Sequence, residues 1–186
     1  GSEVYKSSFA TNGANTGAPG TWTNITPITP TATHRVEIVL APSDPLRVYL
    51  LMQDSATGEV QNMYRSVNGG SSWANLNPPS ALNNGTNSQT WFNLIGAVDP
   101  NNANTIVVGG LNLARSTDGG DNWTTITTGA SVHVDQHALV YDGSAKLISG
   151  NDGGIYYSTN INAATPVFLN KNTGYNVTQY YACDFH

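Results

Sequence analysis

The sequence contains a single cysteine, Cys183, so no disulfide bond can form within the chain. Charged residues make up 10% of the chain, against roughly 25% in an average soluble protein. It has only seven Lys and Arg residues and no basic cluster, which excludes a protein that grips nucleic-acid phosphates. No apolar run reaches the roughly 18 residues of a membrane-spanning helix, so we expect no membrane span.

Polarity comes instead from uncharged side chains, with 22 Asn, 21 Thr and 15 Ser among 186 residues. Together with 19 Gly and 9 Pro, this composition is typical of short strands joined by turns, and it disfavours a helical bundle. Disorder is disfavoured as well, because 39% of the residues are hydrophobic and four Trp and nine Tyr are available for a core. The composition therefore predicts an all-β fold.

The chain repeats itself. Residues 64–73 read YRSVNGGSSW and residues 114–123 read ARSTDGGDNW, 50 residues further on. A weaker copy, GGIYYSTN, follows at 153–160, and a more distant one begins at 4–7. An Asp-Pro or Asp-Gly turn recurs in step with these copies, at Asp44, Asp99 and Asp142. Four short strands in 40–50 residues is the pattern of a β-propeller blade.

We predict a single propeller segment over 1–186, with four antiparallel strands in each blade. Its three full blades span about 34–77, 90–128 and 132–170, and partial-blade strands fall within 3–26 and 179–186. Propellers close with roughly four to eight blades. We therefore expect an arc of a larger ring, or a chain that completes its ring with a second copy. Gly1 and Ser2 look like the remainder of a cleaved tag, and no signal peptide is present.

The repeated string has a mechanical explanation. Asn68 and Asp118 suit turns in which the side chain accepts hydrogen bonds from backbone N–H groups just downstream. Gly70 and Gly120 permit positive φ. The indoles at the end of each string bury against the turn, contributing about 2–3 kcal/mol each. The residues of the two strings are Ser66, Asn68, Gly70, Trp73 and Ser116, Asp118, Gly120, Trp123.

These eight residues resemble the Asp-box, or BNR repeat, of sialidases, xyloglucanase-type glycoside hydrolases, sortilin-type receptors and secreted bacterial surface propellers. The sequence departs from that pattern at Asn68, which replaces the first Asp, and in the third copy, which lacks the glycine and tryptophan. The resemblance implies a propeller in which the boxes are structural and lie at the blade periphery, away from the ligand face. It also implies an extracellular or cell-surface location.

One group of residues suggests chemistry. His133, Asp135 and His137 alternate along 131–142, which we predict to be an innermost strand, so their side chains share one face. Such residues suit a divalent metal such as zinc, an acid–base pair, or a hydrogen-bonded polar network. Cα atoms four residues apart on a strand are separated by roughly 13 Å, so all three bind one ion only across a bulge. The strand and the Asn-Asp-Gly-Gly turn at 151–154 are similar to those of secreted bacterial propellers.

Aromatic residues are a second candidate. Trp91 and Phe92 fall on a predicted inner strand, and Tyr180 and Tyr181 lie near the C-terminus. Aromatic faces stack on sugar rings, so these residues are candidates for a glycan-binding cleft. Packing between blades is the alternative use of the same side chains.

Two classes of function remain. The first is a binding or scaffold surface for a glycan or protein partner. The second is a segment of a xyloglucanase-type glycoside hydrolase, whose two carboxylates must face each other at roughly 5–5.5 or 6.5–9.5 Å. The acids available outside the turns and boxes are Asp54, Asp135 and Asp152, and of these Asp135 and Asp152 are the catalytic candidates. A sialidase is disfavoured, because its arginine triad needs more than the four Arg present, two of which lead into the boxes.

Overall fold

The computed structural model describes residues 2–28, 33–83, 85, 88–127, 131–143 and 146–174. The strands in these ranges are β1 (Tyr5–Lys6), β2 (Thr23–Asn24), β3 (Thr33–Ala41), β4 (Asp44–Asp54), β5 (Val60–Ser66), β6 (Ala74–Leu76), β7 (Ile95–Asp99), β8 (Asn102–Gly109), β9 (Leu113–Ser116), β10 (Thr124–Thr125), β11 (Gln136–Tyr141), β12 (Leu147–Asn151), β13 (Gly154–Ser158) and β14 (Leu169–Asn170). Helical structure is confined to α1 (Phe9–Asn12) and to 3₁₀ turns at Gly13–Asn15 and Ser80–Leu82. No helix in the described ranges has the length and apolar character needed to cross a membrane.

The strands form three four-stranded antiparallel sheets, in the orders β3-β4-β5-β6, β7-β8-β9-β10 and β11-β12-β13-β14. Strands β1 and β2 pair separately as a two-stranded sheet. Each four-stranded sheet follows the chain from its first to its last strand, so every connection is a hairpin. The predicted all-β fold of four-stranded propeller blades in a partial ring is confirmed.

The core lies between neighbouring sheets. Tyr49 and Leu51 of the first sheet pack with Ile106 of the second, and Val107 of the second packs with Leu147 of the third. Strand β4 is buried at six consecutive residues, Val48 to Gln53, because both faces of its sheet are covered. Two covered faces per sheet is the packing expected of stacked blades, and it differs from the alternating burial of a sheet with one wet face.

The first strands of the three sheets lie side by side. A Cβ placed on Gly96 of β7 would lie 2.6 Å from Val39 Cγ2 of β3, so the absence of a side chain permits the close approach of these two strands. Exposed apolar residues of β3 and β11, among them Leu40 and Val140, border the concave surface between the first strands.

The two repeated strings form matching turns. The Ser66 hydroxyl oxygen accepts hydrogen bonds from the backbone N–H groups of Asn68 at 3.2 Å and Gly70 at 2.8 Å. The Asn68 carboxamide oxygen accepts from the N–H of Ser72 at 2.8 Å. The second turn repeats this pattern with Ser116, Asp118 and Asn122 in the same places. The indoles are equivalent too, since a Cβ on Gly70 or Gly120 would lie 3.4 Å from Cζ2 of the following tryptophan.

A cationic side chain ties each sheet to the turn of the next one. In each case the cation directly precedes the serine that begins the turn of its own repeat, and it donates to a backbone carbonyl of the following repeat. We call this contact the carbonyl clamp. The clamped pairs are Lys6 with Gly69 (2.8 Å), Arg65 with Gly119 (2.9 Å) and Arg115 with Ile161.

The N-terminal strands are shorter than predicted. We expected outer strands over 3–9 and 21–26, but β1 and β2 have two residues each. The N–H groups of Thr11 and Asn12 bond to the Ser8 carbonyl, which begins α1 in place of an extended strand. The predicted inner strand at 179–186, with Tyr180, Tyr181 and Cys183, lies outside the described residues.

Candidate functional site

Most candidate residues collect at one end of the sheets, which we call the site edge. It is the end at which β3, β7 and β11 begin. Thr33 at the start of β3 pairs with Asp54 at the end of β4, whereas Ser66 pairs with Val48 near the start of β4. The repeated turns therefore lie at the opposite edge, well away from these candidates.

Trp91 and Phe92 form an exposed aromatic pair at the site edge. Their rings are 57% and 54% exposed, with centroids 5.6 Å apart and planes inclined at 42°. The expectation that they lie on a strand is wrong, because β7 begins only at Ile95. The N–H groups of Phe92 and Asn93 both bond to the Gln89 carbonyl, and these bonds fold the segment into a turn that carries the two rings outward.

Arg35 holds this aromatic turn in place. From β3 its guanidinium donates to the carbonyl oxygens of Phe92 at 2.5 Å and Leu94 at 2.6 Å, with a longer contact to that of Trp91. Three backbone carbonyls of the turn that precedes β7 thus accept hydrogen bonds from one side chain of β3. This role of Arg35 was not predicted from the sequence. The available signal was an arginine within a predicted strand of a chain that has only seven Lys and Arg residues.

Glu37, two residues further along β3, is the partner of Arg35 in an ion pair with 3.8 Å between Nη2 and Oε2. Burial raises the pKa of the Glu37 carboxyl, and the Arg35 charge offsets part of that increase. Glu37 is therefore an acid beside Arg35 in the middle of β3, whereas Asp54 at the end of β4 lies at the site edge itself.

His137 connects the aromatic pair to Asp152. Its ring meets the Phe92 ring edge-on, with 4.7 Å between centroids and 68° between planes. Its Nε2 lies 2.8 Å from Asp152 Oδ1, in the turn between β12 and β13. The structure thus brings together Trp91, Phe92, His137 and Asp152 in one continuous series of contacts.

Asp135 departs from the predicted strand. Residues 131–135 were expected to be extended, but β11 begins at Gln136 and Asp135 has a φ of +65°. The N–H groups of Asp135 and Gln136 donate to the carbonyls of Leu111 and Gly110 in the preceding sheet, at 3.0 and 2.8 Å. Because these two amides are committed to another sheet, the strand cannot extend back to His133, and the three predicted metal ligands do not share a face.

The Asp135 carboxylate is held from the aromatic turn. Its Oδ1 accepts hydrogen bonds from the carboxamides of Gln89 at 2.5 Å and Asn93 at 2.6 Å. Asn93 is 1% exposed, so this partner is fixed by its surroundings. Left-handed backbone at a residue other than glycine costs about 1–3 kcal/mol, and such strain concentrates at functional sites. Asp135 is a carboxylate held in one orientation beside the exposed rings.

His133 packs against the turn that carries Asp152. A Cβ on Gly153 would lie 2.3 Å from His133 Cβ, so only glycine fits there. Fully buried Gln136 secures this arrangement, because its carboxamide donates to the His133 carbonyl at 2.7 Å and accepts from the Ser149 hydroxyl at 2.7 Å. The polar network that the sequence analysis considered is thus built around Gln136.

In the residues that the structure describes, no three His, Cys, Asp or Glu side chains are placed to share a metal ion. Asp135 is bound by two carboxamides, His137 by Asp152, and His133 Nδ1 lies 3.1 Å from the Val134 carbonyl. The donor set therefore does not fit a metal centre as it stands, and a metal site at these residues stays a prediction.

Comparison with known proteins gives a fold and no family. No protein-family model matches the chain, and neither does any curated protein. Among solved structures, YCF48 bound to D1 peptide is similar at a TM-score of 0.52 and 14% identity, over 84% of this chain and 47% of that one. The GH74 enzyme of Niastella koreensis is similar at 0.50 and 24% identity, over 67% of this chain and 21% of the enzyme.

The GH74 xyloglucanase of Xanthomonas campestris gives a TM-score of 0.50 and 19% identity, over 65% of this chain and 21% of the enzyme. The chain thus spans less than half the length of these proteins. Because identities are below 25%, the likeness is one of fold, and it supports a β-propeller.

Proposed function

We propose that this chain is a segment of an extracellular β-propeller whose site edge binds a glycan. The observation that carries the proposal is the pair of exposed rings, Trp91 and Phe92, held outward by Arg35. Large aromatic side chains normally bury most of their surface, and rings left in solvent beside polar groups are typical of a binding surface.

The polar groups next to the rings suit a ligand rich in hydroxyl groups. Asp152 is about half exposed, and its carboxylate lies 2.8 Å from His137 Nε2, whereas Asp135 offers a carboxylate held in one orientation. An aromatic platform for the apolar face of a sugar ring, bordered by carboxylates that accept from its hydroxyls, is a chemically consistent glycan site. The low charge of the chain favours an uncharged ligand.

The two repeated turns support the rest of the proposal. Their hydrogen bonds are internal, and they lie at the edge opposite the candidate site. We assign them as Asp-boxes with a structural role, and the extracellular or cell-surface location rests on that assignment. The chain is then an arc that a longer protein or a second copy completes.

Binding is tested by calorimetric titration with xyloglucan-derived and cellulose-derived oligosaccharides. Replacing Trp91 or Phe92 with Ala is expected to weaken binding at least tenfold, because each removes one ring of the platform. Phe9→Ala is the matched control, since Phe9 is 74% exposed and lies in α1, away from the site edge. Undiminished binding by both site variants would contradict the proposal.

A second candidate is a segment of a xyloglucanase-type glycoside hydrolase, favoured by the GH74 enzymes among the similar structures. Asp135 and Asp152 are the carboxylates for this role. Release of reducing ends from xyloglucan by the unmodified chain, abolished by Asp135→Asn and by Asp152→Asn, would establish it. Oligosaccharide binding without any hydrolysis would support the binding function and contradict the hydrolase.

A protein ligand at the same edge is the remaining alternative, since the YCF48 structure contains a bound peptide. Saturable peptide binding that is lost in Trp91→Ala, with no response to any oligosaccharide, would favour it over a glycan.

A further inference from the structure

The third sheet has an apolar face that no other sheet among the described residues covers, although Lys171 Nζ lies 5.9 Å from the centroid of the Tyr157 ring on it. Val140, Ile148, Tyr157 and Leu169 are in direct register across its four strands and so form one row on one face. Val140 is 55% exposed and Leu169 48%, and Ile155 beside them is 41% exposed. A row of this kind across all four strands is unlike the scattered exposed apolar residues of an ordinary surface.

The same face is covered in the other two sheets. The corresponding residues of the first sheet, Tyr49 and Leu51, pack against the second sheet, and Val107 of the second sheet packs against the third. Each sheet thus uses this face to bind the element that follows it along the arc. Continuity of this repeated interface indicates that the occupant of the third face is another element of the same kind.

The β1–β2 unit shows what such an element looks like in this chain. Val4 and Ile25 of this unit pack against Leu50 and Tyr64 on the other face of the first sheet. The unit therefore takes the place of a sheet that precedes the first one, although it has only two strands. On this unit Tyr5 is 48% exposed and Trp22 52% exposed.

The carbonyl clamp marks the same two places. Each clamp needs a cation before the serine of one repeat and a tight turn in the next. In the third sheet the residue before Ser158 is Tyr157, so the cation is missing. In the β1–β2 unit the residues after Ser7 form α1, so the tight turn is missing. The cation is absent from the third sheet and the tight turn is absent from the β1–β2 unit, which are the two elements with no neighbour on one side among the residues that the structure describes.

We propose that the uncovered face of the third sheet binds the β1–β2 unit of a second copy of this chain, head to tail. The apolar row packs on Tyr5 and Trp22. This junction forms without a carbonyl clamp, because the third sheet lacks the cation and the β1–β2 unit lacks the tight turn. Because the surfaces on the two copies differ, the interface is heterologous, and two copies joined at both junctions close into one ring. The proposal rests on the chain being an arc, as stated above, and is independent of glycan binding.

The test uses light scattering during size exclusion of the 186-residue chain. The expected mass is twice that of the monomer, and a monomer at every concentration would overturn the proposal. Ile155→Lys/Leu169→Lys is expected to give a monomer, because charge in the row blocks packing. Val67→Lys is the matched control, since Val67 is 55% exposed but lies in the first repeated turn, and it should leave the dimer intact.

Mixing distinguishes head-to-tail pairing from face-to-face pairing. Tyr5→Lys/Trp22→Lys, altered only on the β1–β2 unit, is also expected to be monomeric. An equimolar mixture with Ile155→Lys/Leu169→Lys retains one intact junction and should give a heterodimer. No heterodimer from variants that keep the parent far-UV spectrum and melting behaviour would overturn the proposal.

Oligosaccharide titration of Ile155→Lys/Leu169→Lys separates the two hypotheses. The substitutions leave Trp91 and Phe92 untouched, so loss of the dimer with unchanged glycan affinity supports the assembly on its own. A dimer that binds no glycan would leave the assembly standing and contradict only the proposed function.

Discussion

Arg65 of the first sheet donates a hydrogen bond to the backbone carbonyl of Gly119 in the second, with 2.9 Å between Nη1 and the oxygen. The same nitrogen lies 3.2 Å from Asp121 Oδ1, so the guanidinium is held by a carbonyl and a carboxylate of the neighbouring turn. This contact adds to the apolar packing between the two sheets, as does the hydrogen bond from the Tyr49 hydroxyl to the Ala103 carbonyl at 2.8 Å.

Replacing Arg65 with Met keeps the apolar stem and removes the donor. We expect the free energy of unfolding to fall by about 1–2 kcal/mol, since the Gly119 carbonyl loses a charged partner. Urea denaturation followed by tryptophan fluorescence measures this. Lys146→Met is the control, because Lys146 is 42% exposed and its contact with Asp142 is 3.9 Å long, so its loss should change stability little.

Stability at low pH should depend on Asp118. Hydrogen bonds from the side chain and backbone of Asn122 lower the pKa of its carboxyl from 3.8 to about 2. A depressed folded-state pKa means that the carboxylate stabilises the fold above the unfolded-state pKa, and that this contribution is lost as the pH falls from about 4 to about 2. Because the side chain is exposed, we expect a loss of about 1 kcal/mol.

Asp118→Asn is the matched variant for this effect. The first repeated turn has Asn68 in the equivalent place and keeps the same backbone hydrogen bonds, so the turn should still form. Melting curves at pH 6 and pH 2.5 should then differ less for the variant than for the parent chain. An equal difference in both would assign the acid sensitivity to other carboxyl groups.

Gly153→Ala should disturb the turn that carries Asp152. The new Cβ would overlap His133 Cβ, so His133 or the turn must move, at a cost of about 1–3 kcal/mol. Gly150→Ala is the control, because its Cβ would lie 3.4 Å from Ala138 Cβ, an ordinary contact. Thermal unfolding should separate the two variants clearly, and a similar melting temperature for both would show that the His133 contact is easily relieved.

Arg35→Gln should weaken ligand binding without touching the ligand. The shorter, neutral side chain cannot reach the carbonyls of Phe92 and Leu94 together, so the aromatic turn loses its support. We expect a three- to tenfold loss of affinity, smaller than that for Trp91→Ala. Increased quenching of tryptophan fluorescence by acrylamide would report the loosened turn. If neither the affinity nor the quenching changes, the hydrogen bonds from Phe92 and Asn93 to the Gln89 carbonyl are sufficient to hold the turn.

The repeat was readable from sequence because its causes are local. Asn68 and Asp118 accept from backbone groups within four residues, and Gly70 and Gly120 adopt the positive φ that their turns require. Nothing distant has to be known to predict these turns. Once two of them are placed 50 residues apart, the number of strands between them follows from the strand lengths.

The candidate site could be predicted only in part from the sequence, because contacts between residues far apart in the chain determine its geometry. A run that alternates as evenly as 131–137 predicts a strand, yet the amides of Asp135 and Gln136 bond to carbonyls of the preceding sheet. The turn at Trp91 likewise depends on Arg35, which precedes it by 56 residues. Sequence pattern selected candidate side chains, but it had no means of finding the partners that orient them.

The carbonyl clamp has a consequence for how such a chain tolerates substitution. Its acceptor is the peptide group itself, which every residue type supplies, so the receiving position is not restricted to one amino acid. Arg115 accordingly binds Ile161 where Arg65 binds Gly119, although the third repeat has lost its glycine and tryptophan. The sequence motif of one turn can therefore be lost by substitution while the hydrogen bond that joins its blade to the preceding one is kept.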